Sequence, residues 1–194
     1  MDDNHHRELP ARLARDLDGS FEALVVAYER LVFGLALRVV GDRADAVEVA
    51  QDTFERAYWA LAGYPAERVA AMRLRPWLAR IALNLARNRL RRRPPPARPL
   101  EDGDGQPLAV AAPAAAEPAE VAERGQERDF WAGLLAGLPR PYREAVVLRH
   151  VEGLPYGEVA EVLGRPVGTV KTHVHRGVRQ LRVMLERREE RVPR

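Results

Sequence analysis

Lys171, Thr172, His175, Arg176 and Arg179 carry the chemistry that stands out in this chain. Lysine and arginine donate to phosphate oxygens and to the acceptors of guanine. Threonine and imidazole both donate and accept, so the group suits a polyanion with readable edges. On a helix these offsets gather the five on one side, with Thr169 in the turn before them. The plainer alternative is a solvated helix back, because arginine is the general cation here and Lys171 is the only lysine.

Such side chains read anything only if an element holds them out. Val167, Val170, Val174, Val178 and Leu181 repeat at helical spacing and predict an apolar stripe opposite the cations. Just upstream, Val159, Ala160 and Leu163 predict a short helix. Gly164 supplies the left-handed residue of a sharp turn, and Pro166 suits a helix start. Short helix, tight turn and second helix form a helix-turn-helix pattern, whose second helix enters the major groove. Two further helices complete a four-helix module. One carries Phe130, Trp131, Leu134, Leu135 and Leu138 and ends near Pro139; the other buries Tyr142, Ala145, Val146, Leu148 and Val151 and is closed by Gly153. From Glu186 the tail is polar and expected to fray.

The first half offers two more faces. Pro76 opens a helix with Trp77, Leu78, Ile81, Ala82 and Leu85 on one side and Arg80, Asn84, Arg87, Asn88 and Arg91 on the other. Asparagine and arginine pair with base edges and phosphates, so this is either a nucleic-acid face or a polar helix back. Earlier, Asp42 caps a helix with Val47, Ala50, Phe54, Ala57 and Leu61 inward and Asp45, Glu48, Gln51, Asp52 and Glu55 outward. That acidic surface is either solvated or meets a basic partner. Before it, Ser20 is the expected cap of a helix carrying Phe21, Leu24, Val25, Tyr28, Leu31, Val32, Leu35 and Val39, ended by Gly41. Residues ahead of Ser20 predict a loose or short helical lead-in. Gly63-Tyr64-Pro65 breaks the pattern, and a short helix and a loop fill the stretch to Arg75.

These readings give an all-α chain of two small domains, 1–93 and 126–194, joined at 94–125 by a Pro/Ala-rich acidic linker. Its prolines favour extension, and some thirty residues reach on the order of 100 Å. The net charge of +3 is too mild to argue for nucleic acid alone; the arginine clusters at 87–93 and beyond 165 say more. With no cysteine and no long apolar run, disulfides, thiolate metal sites and membrane insertion are not expected, and the cytoplasm is the expected location. Adjacent His5 and His6, and His173 with His175, diverge on a helix and suit no shared metal. No phosphate-cradling glycine loop or nucleophile elbow occurs. Neither enzyme activity nor a cofactor is expected.

Three separated motifs carry a resemblance. The run Asp45-Ala46-Val47-Glu48-Val49-Ala50-Gln51-Asp52-Thr53-Phe54-Glu55-Arg56-Ala57-Tyr58 resembles the polymerase-binding helix of bacterial sigma factors. The run from Pro76-Trp77-Leu78 to Arg91-Arg92-Arg93 is similar to their minus-ten helix. Leu138-Pro139, Tyr142-Arg143-Glu144-Ala145 and Pro166-Val167-Gly168-Thr169-Val170-Lys171-Thr172 look like their minus-thirty-five module. Two domains alone point to the small extracytoplasmic-function (ECF) group of the sigma-70 family.

The resemblance implies a transcription initiation factor that binds core RNA polymerase and promoter DNA and works at the nucleoid. The acidic helix would dock on the clamp helices of the large polymerase subunit, with the flap a further contact. The loop from about Ala62 to Arg75 would hold a flipped base. Asn84, Arg87 and Asn88 match the minus-ten helix, and Lys171, Thr172, His175 and Arg176 match upstream-reading positions. His173 stands where arginine is frequent. The linker would thread the RNA-exit path, and an anti-sigma protein is a family expectation. Two rivals remain at this point: a dimeric regulator with a sensory domain, and a helical adaptor that never touches DNA.

Overall fold

Helix ends follow the local chemistry. In the computed structural model, which describes residues 3–92 and 130–189 with side chains for 8–92 and 130–188, the first half holds five helices. These are α1 (Asp3–Arg15), α2 (Leu17–Val40), α3 (Arg43–Ala62), α4 (Ala66–Ala70) and α5 (Leu74–Arg92). The lead-in is thus a 13-residue helix, longer than expected, which packs Leu9 and Leu13 into the core. Ser20 does not cap α2; it lies buried within it. The cap is Asp16, whose carboxylate accepts from the Gly19 N–H at 2.9 Å. A carboxylate satisfies that amide and also favours the positive end of the helix dipole, so the helix starts four residues early, at Leu17 rather than Phe21. Gly41 ends α2 at φ 75°, and Asp42 caps α3 by accepting from the Asp45 N–H at 2.9 Å.

α2, α3 and α5 pack on one another, with α1 against α2 and α4. The buried face of α3 is Ala46, Val49, Thr53, Ala57 and Leu61. Val47 is exposed, and Ala50 and Phe54 are half-buried, so the inner stripe is turned one residue from the sequence expectation. Small side chains at that face let backbones approach closely, and Thr53 hides its hydroxyl by donating to the Val49 carbonyl at 2.6 Å. On α5 the core residues are Leu74, Pro76, Leu78, Ala79, Ala82, Leu83, Leu85 and Ala86, while Trp77 and Ile81 are only half-buried.

The second half has a helix over 130–136, here α6, then α7 (Arg140–Val146), α8 (Tyr156–Leu163) and α9 (Val167–Glu189). α7 runs into a π-helical stretch, Val147–Val151, where the Glu152 N–H reaches back five residues to the Val147 carbonyl at 2.9 Å. The extra residue in that turn rotates the downstream positions about the helix axis. Val151, expected inside, therefore stands 43% exposed, and Leu154 takes the buried place. The expected frayed tail begins later, since α9 holds to Glu189. The linker expected at 94–125 lies outside the described residues, as do the side chains of His5 and His6. No strand occurs among the described residues, and no helix among them is long and apolar enough to cross a membrane.

Candidate nucleic-acid interfaces

The turn between α8 and α9 fixes the first interface. Gly164 adopts φ 62°, the Arg165 N–H returns to the Ala160 carbonyl at 3.1 Å, and the Gly164 N–H to Glu161 at 3.4 Å. This left-handed stop closes α8. Two residues later the Pro166 carbonyl accepts from the Val170 N–H at 3.1 Å, and α9 is under way.

α9 is rooted by Val170, Val174 and Gly177, with Leu181 half-buried. Val167 and Val178, expected in the stripe, are exposed. The reason is Gly177: a Cβ there would meet Val146 Cγ2 at 2.6 Å and Tyr142 Cβ at 3.3 Å. α9 therefore approaches α7 through a glycine, and the buried line runs one position earlier than valine spacing suggests. Lys171, Thr172, His175, Arg176 and Arg179 all face solvent, with Thr169 half-buried. Lys171 Nζ lies 5.8 Å from the Tyr156 ring centre, and Arg176 Nη1 donates to the Tyr142 hydroxyl at 3.4 Å. Thr172 donates to its own helix, at the Gly168 carbonyl, 3.0 Å away. His173 turns inward instead, its ring 5.4 Å from that of Tyr142.

The second candidate face, on α5, is occupied differently. Asn84 and Arg91 are exposed, and Arg91 donates to the Asn88 side-chain oxygen. Arg80 and Arg87 are not free. Arg87 grips Glu144 of α7 through two bonds, Nε to Oε1 at 3.0 Å and Nη2 to Oε2 at 2.5 Å. Arg140 adds a third at 2.8 Å. Glu144 is buried, which alone would raise its carboxyl pKa; the bonds and charges of Arg87 and Arg140 prevail and hold it below the usual range. Arg80 donates to the Glu161 carbonyl at the end of α8.

Neighbouring side chains join the same contact. Arg73 reaches Glu158 at 2.5 Å and Glu161 at 2.9 Å, Arg75 donates to the Glu152 carbonyl, and Arg38 meets Glu152 at 3.3 Å. Periodicity marked none of these glutamates, because a carboxylate on a helix surface looks alike whether water or an arginine faces it. The nearest signal was Arg140, one helical turn before Glu144.

The acidic face of α3 is also partly spoken for. Arg89 binds Asp45 at 2.7 Å and Glu48 at 2.6 Å, whereas Gln51, Asp52 and Glu55 stand in solvent. Among the described residues no group of acids and histidines is placed to hold a metal ion.

Comparison with known proteins gives this arrangement its context. The family model for sigma-70 region 2 matches residues 24–94, and that for sigma-70 region 4 matches 132–181. The RNA polymerase sigma-H factor of Pseudomonas aeruginosa is 34% identical over 176 residues, covering 88% of each chain. The ECF RNA polymerase sigma factor SigW of Bacillus subtilis is 30% identical over 170 residues, 86% of this chain and 89% of that one. Among solved structures, CnrH in complex with the cytosolic domain of CnrY is similar at 27% identity and a TM-score of 0.66, covering 94% of this chain and 97% of that one.

Paired helical modules, one of them a helix-turn-helix, define a DNA-binding transcription protein. The chain belongs to the ECF group of the sigma-70 family of RNA polymerase sigma factors. It is an alternative sigma factor that directs promoter-specific transcription, and it is not an enzyme.

Proposed function

We propose that the two cationic faces divide promoter recognition between them. α9 reads the minus-thirty-five element through Thr169, Lys171, Thr172, His175, Arg176 and Arg179. α5 lies against the minus-ten element through Arg80, Asn84, Arg87, Asn88 and Arg91. Core polymerase holds the chain through α3, whose Asp45, Glu48, Gln51, Asp52 and Glu55 meet the clamp helices of the large subunit, with the flap against the second module. Each face alone binds weakly, and the polymerase holds them at the separation that makes a linked pair effective. A protein partner that inhibits the free chain fits the same picture, since CnrH was solved with the cytosolic domain of CnrY bound. The working place is the nucleoid.

The observation that carries the reading is the solvent exposure of Lys171, Thr172, His175, Arg176 and Arg179 on a helix anchored by Val170 and Val174. Run-off transcription with core polymerase on a genomic promoter pool tests it. The double variant Lys171→Glu, Arg176→Glu is expected to lose upstream-dependent initiation on the order of a hundredfold, because each broken bond to a base or phosphate costs about 1–3 kcal/mol. Unchanged initiation would remove α9 from DNA recognition.

A further inference from the structure

The outward face of α3 carries more than acids. Val47, Gln51, Glu55 and Trp59 follow one another at four-residue intervals, so they form one ridge about 18 Å long. All four are exposed. The ridge is apolar at both ends: Val47 is 39% exposed and Trp59 67%, the most of any large apolar side chain among the described residues. A lone apolar residue on a surface is ordinary. Trp59 is not placed like one. Its ring centre lies 5.4 Å from that of Tyr58 at 85°, and the Tyr58 ring lies 5.1 Å from that of Phe21 at 89°. The Tyr58 hydroxyl donates to Asp18 of α2 at 2.6 Å. Tyr58 is thus fixed by ring and hydroxyl and restrains the indole beside it, which leaves less side-chain entropy to lose on binding.

Charge says what the ridge faces. Asp45 and Glu48, toward the start of α3, are paired with Arg89. Asp52 and Glu55, within two turns of Trp59, hold no cation among the described residues, so the surface around the indole is net negative even with exposed Arg56 counted. We propose that Trp59 is the anchor of the polymerase-docking face: a helix of core polymerase packs along this ridge and seats an arginine or lysine on the indole, its charge shared with Glu55. The inference rests on the reading of α3 as the face that meets core polymerase. The ridge suits a helix, because rows at four-residue spacing fit the grooves of a facing helix. A ring face attracts a cation, and the indole sheds water around the charge pair. Exposed ion pairs alone contribute little, whereas a buried tryptophan is where binding energy concentrates.

Competition of unlabelled variants against the labelled parent chain for core polymerase measures the effect. Trp59→Ala is expected to weaken binding on the order of thirtyfold, and Trp59→Phe to recover part of that loss. Both should unfold at the parent's temperature, since the side chain is 67% exposed. Fluorinated tryptophan introduced at position 59 alone keeps the bulk and drains electron density from the ring face; a further fall of about threefold relative to the parent is expected. Parent-like binding by Trp59→Ala overturns the anchor. Undiminished affinity after fluorination, with Trp59→Ala weak, overturns the cation. The double variant Asp52→Ala, Glu55→Ala separates the anchor from the docking face. If it weakens binding and Trp59→Ala does not, α3 remains the docking face without this anchor; if neither weakens binding, the docking reading fails as well. Sedimentation of the free chain covers the other occupant: loss of a self-associated species in Trp59→Ala, at parent-like polymerase affinity, assigns the indole to a second copy and overturns the proposal.

Discussion

The two cationic helices of this protein are similar in composition and opposite in condition. On α9, Lys171, His175, Arg176 and Arg179 project into solvent, and the apolar root beneath them packs on α7 and α8. On α5, Arg80 and Arg87 are bonded across the molecule, while Asn84 and Arg91 stand in solvent. The face of α9 is presented to solvent, and the arginines at the middle of α5 are held by the second half of the chain. A face made of arginine is therefore not yet a binding face; what decides is whether a better-placed acceptor sits within reach. For Arg87 that acceptor is a buried carboxylate, which water does not dilute.

The strongest way to break this contrast is Glu144→Ala. Removing one partner of a fully buried pair costs about 3–5 kcal/mol, because the other charge is left without its match. The Arg87 side chain keeps a quarter of its surface in water, so the contact between the two halves should lose about 2 kcal/mol. Distances between spin labels placed on the two halves should lengthen, while the exposed face of α9 stays in place on Val170 and Val174. Unchanged distances would mean that Glu144 does not hold the two halves together.

Acid should produce a milder version of the same loss. Glu144 titrates below the ordinary carboxylate range because Arg87 and Arg140 outweigh its burial. A depressed native value contributes stability above the unfolded-chain pKa and loses it as pH falls through the native one. The contact should therefore hold through mildly acidic pH and weaken only below the usual carboxylate range. Around Glu144 stand Arg87 from α5, Arg140 and Arg143 from α7, Arg165 from the turn and His173 from α9. Glu152 shifts upward, chiefly by burial, against the pull of Arg38 and Arg75. It gives way at a higher pH than Glu144, so Arg38 should release first. Label distances across an acid titration check the order of the two events.

A third change tests the root of the open face. Gly177→Ala gains about 1 kcal/mol of helix propensity, yet its new methyl meets Val146 Cγ2 at 2.6 Å. Overpacking of this kind costs about 1–3 kcal/mol, so a net loss of about 1 kcal/mol is expected by thermal or denaturant unfolding. Gly168→Ala is the control. Nothing lies within 4 Å of its added Cβ, so it should be neutral or slightly stabilising.

These three sites also mark what the sequence could and could not say. Helix order, Gly41, Asp42, Gly164 and the cationic face of α9 were legible because each follows from a rule confined to a few neighbouring residues. The misses share one cause. Ser20 against Asp16, and Val47 against Ala46, are choices between nearby positions of similar chemistry, decided by what packs opposite. Gly177 counts as empty in any hydrophobic pattern, although a side chain there would run into Val146 and Tyr142 of α7. Val151 was misplaced by a single π turn that no composition announces. Glu144 was read only as part of a motif, since its partner Arg87 lies 57 positions away.

The smallest expected effect separates a presented face from a preorganised one. Tyr142 touches α9 twice, through its ring beside His173 and through its hydroxyl, which accepts from Arg176. At 3.4 Å and in solvent that hydrogen bond is long, and water replaces it at little cost. Tyr142→Phe keeps the ring and removes only the acceptor. Fold stability and upstream-dependent transcription should both stay within about 0.5 kcal/mol of the parent. A clear fall in transcription without a fall in stability would mean that Arg176 needs its tether to read DNA. The open face would then be held in place by a hydrogen bond, as the closed face is, and the two helices would differ only in whether the partner lies inside or outside their own module.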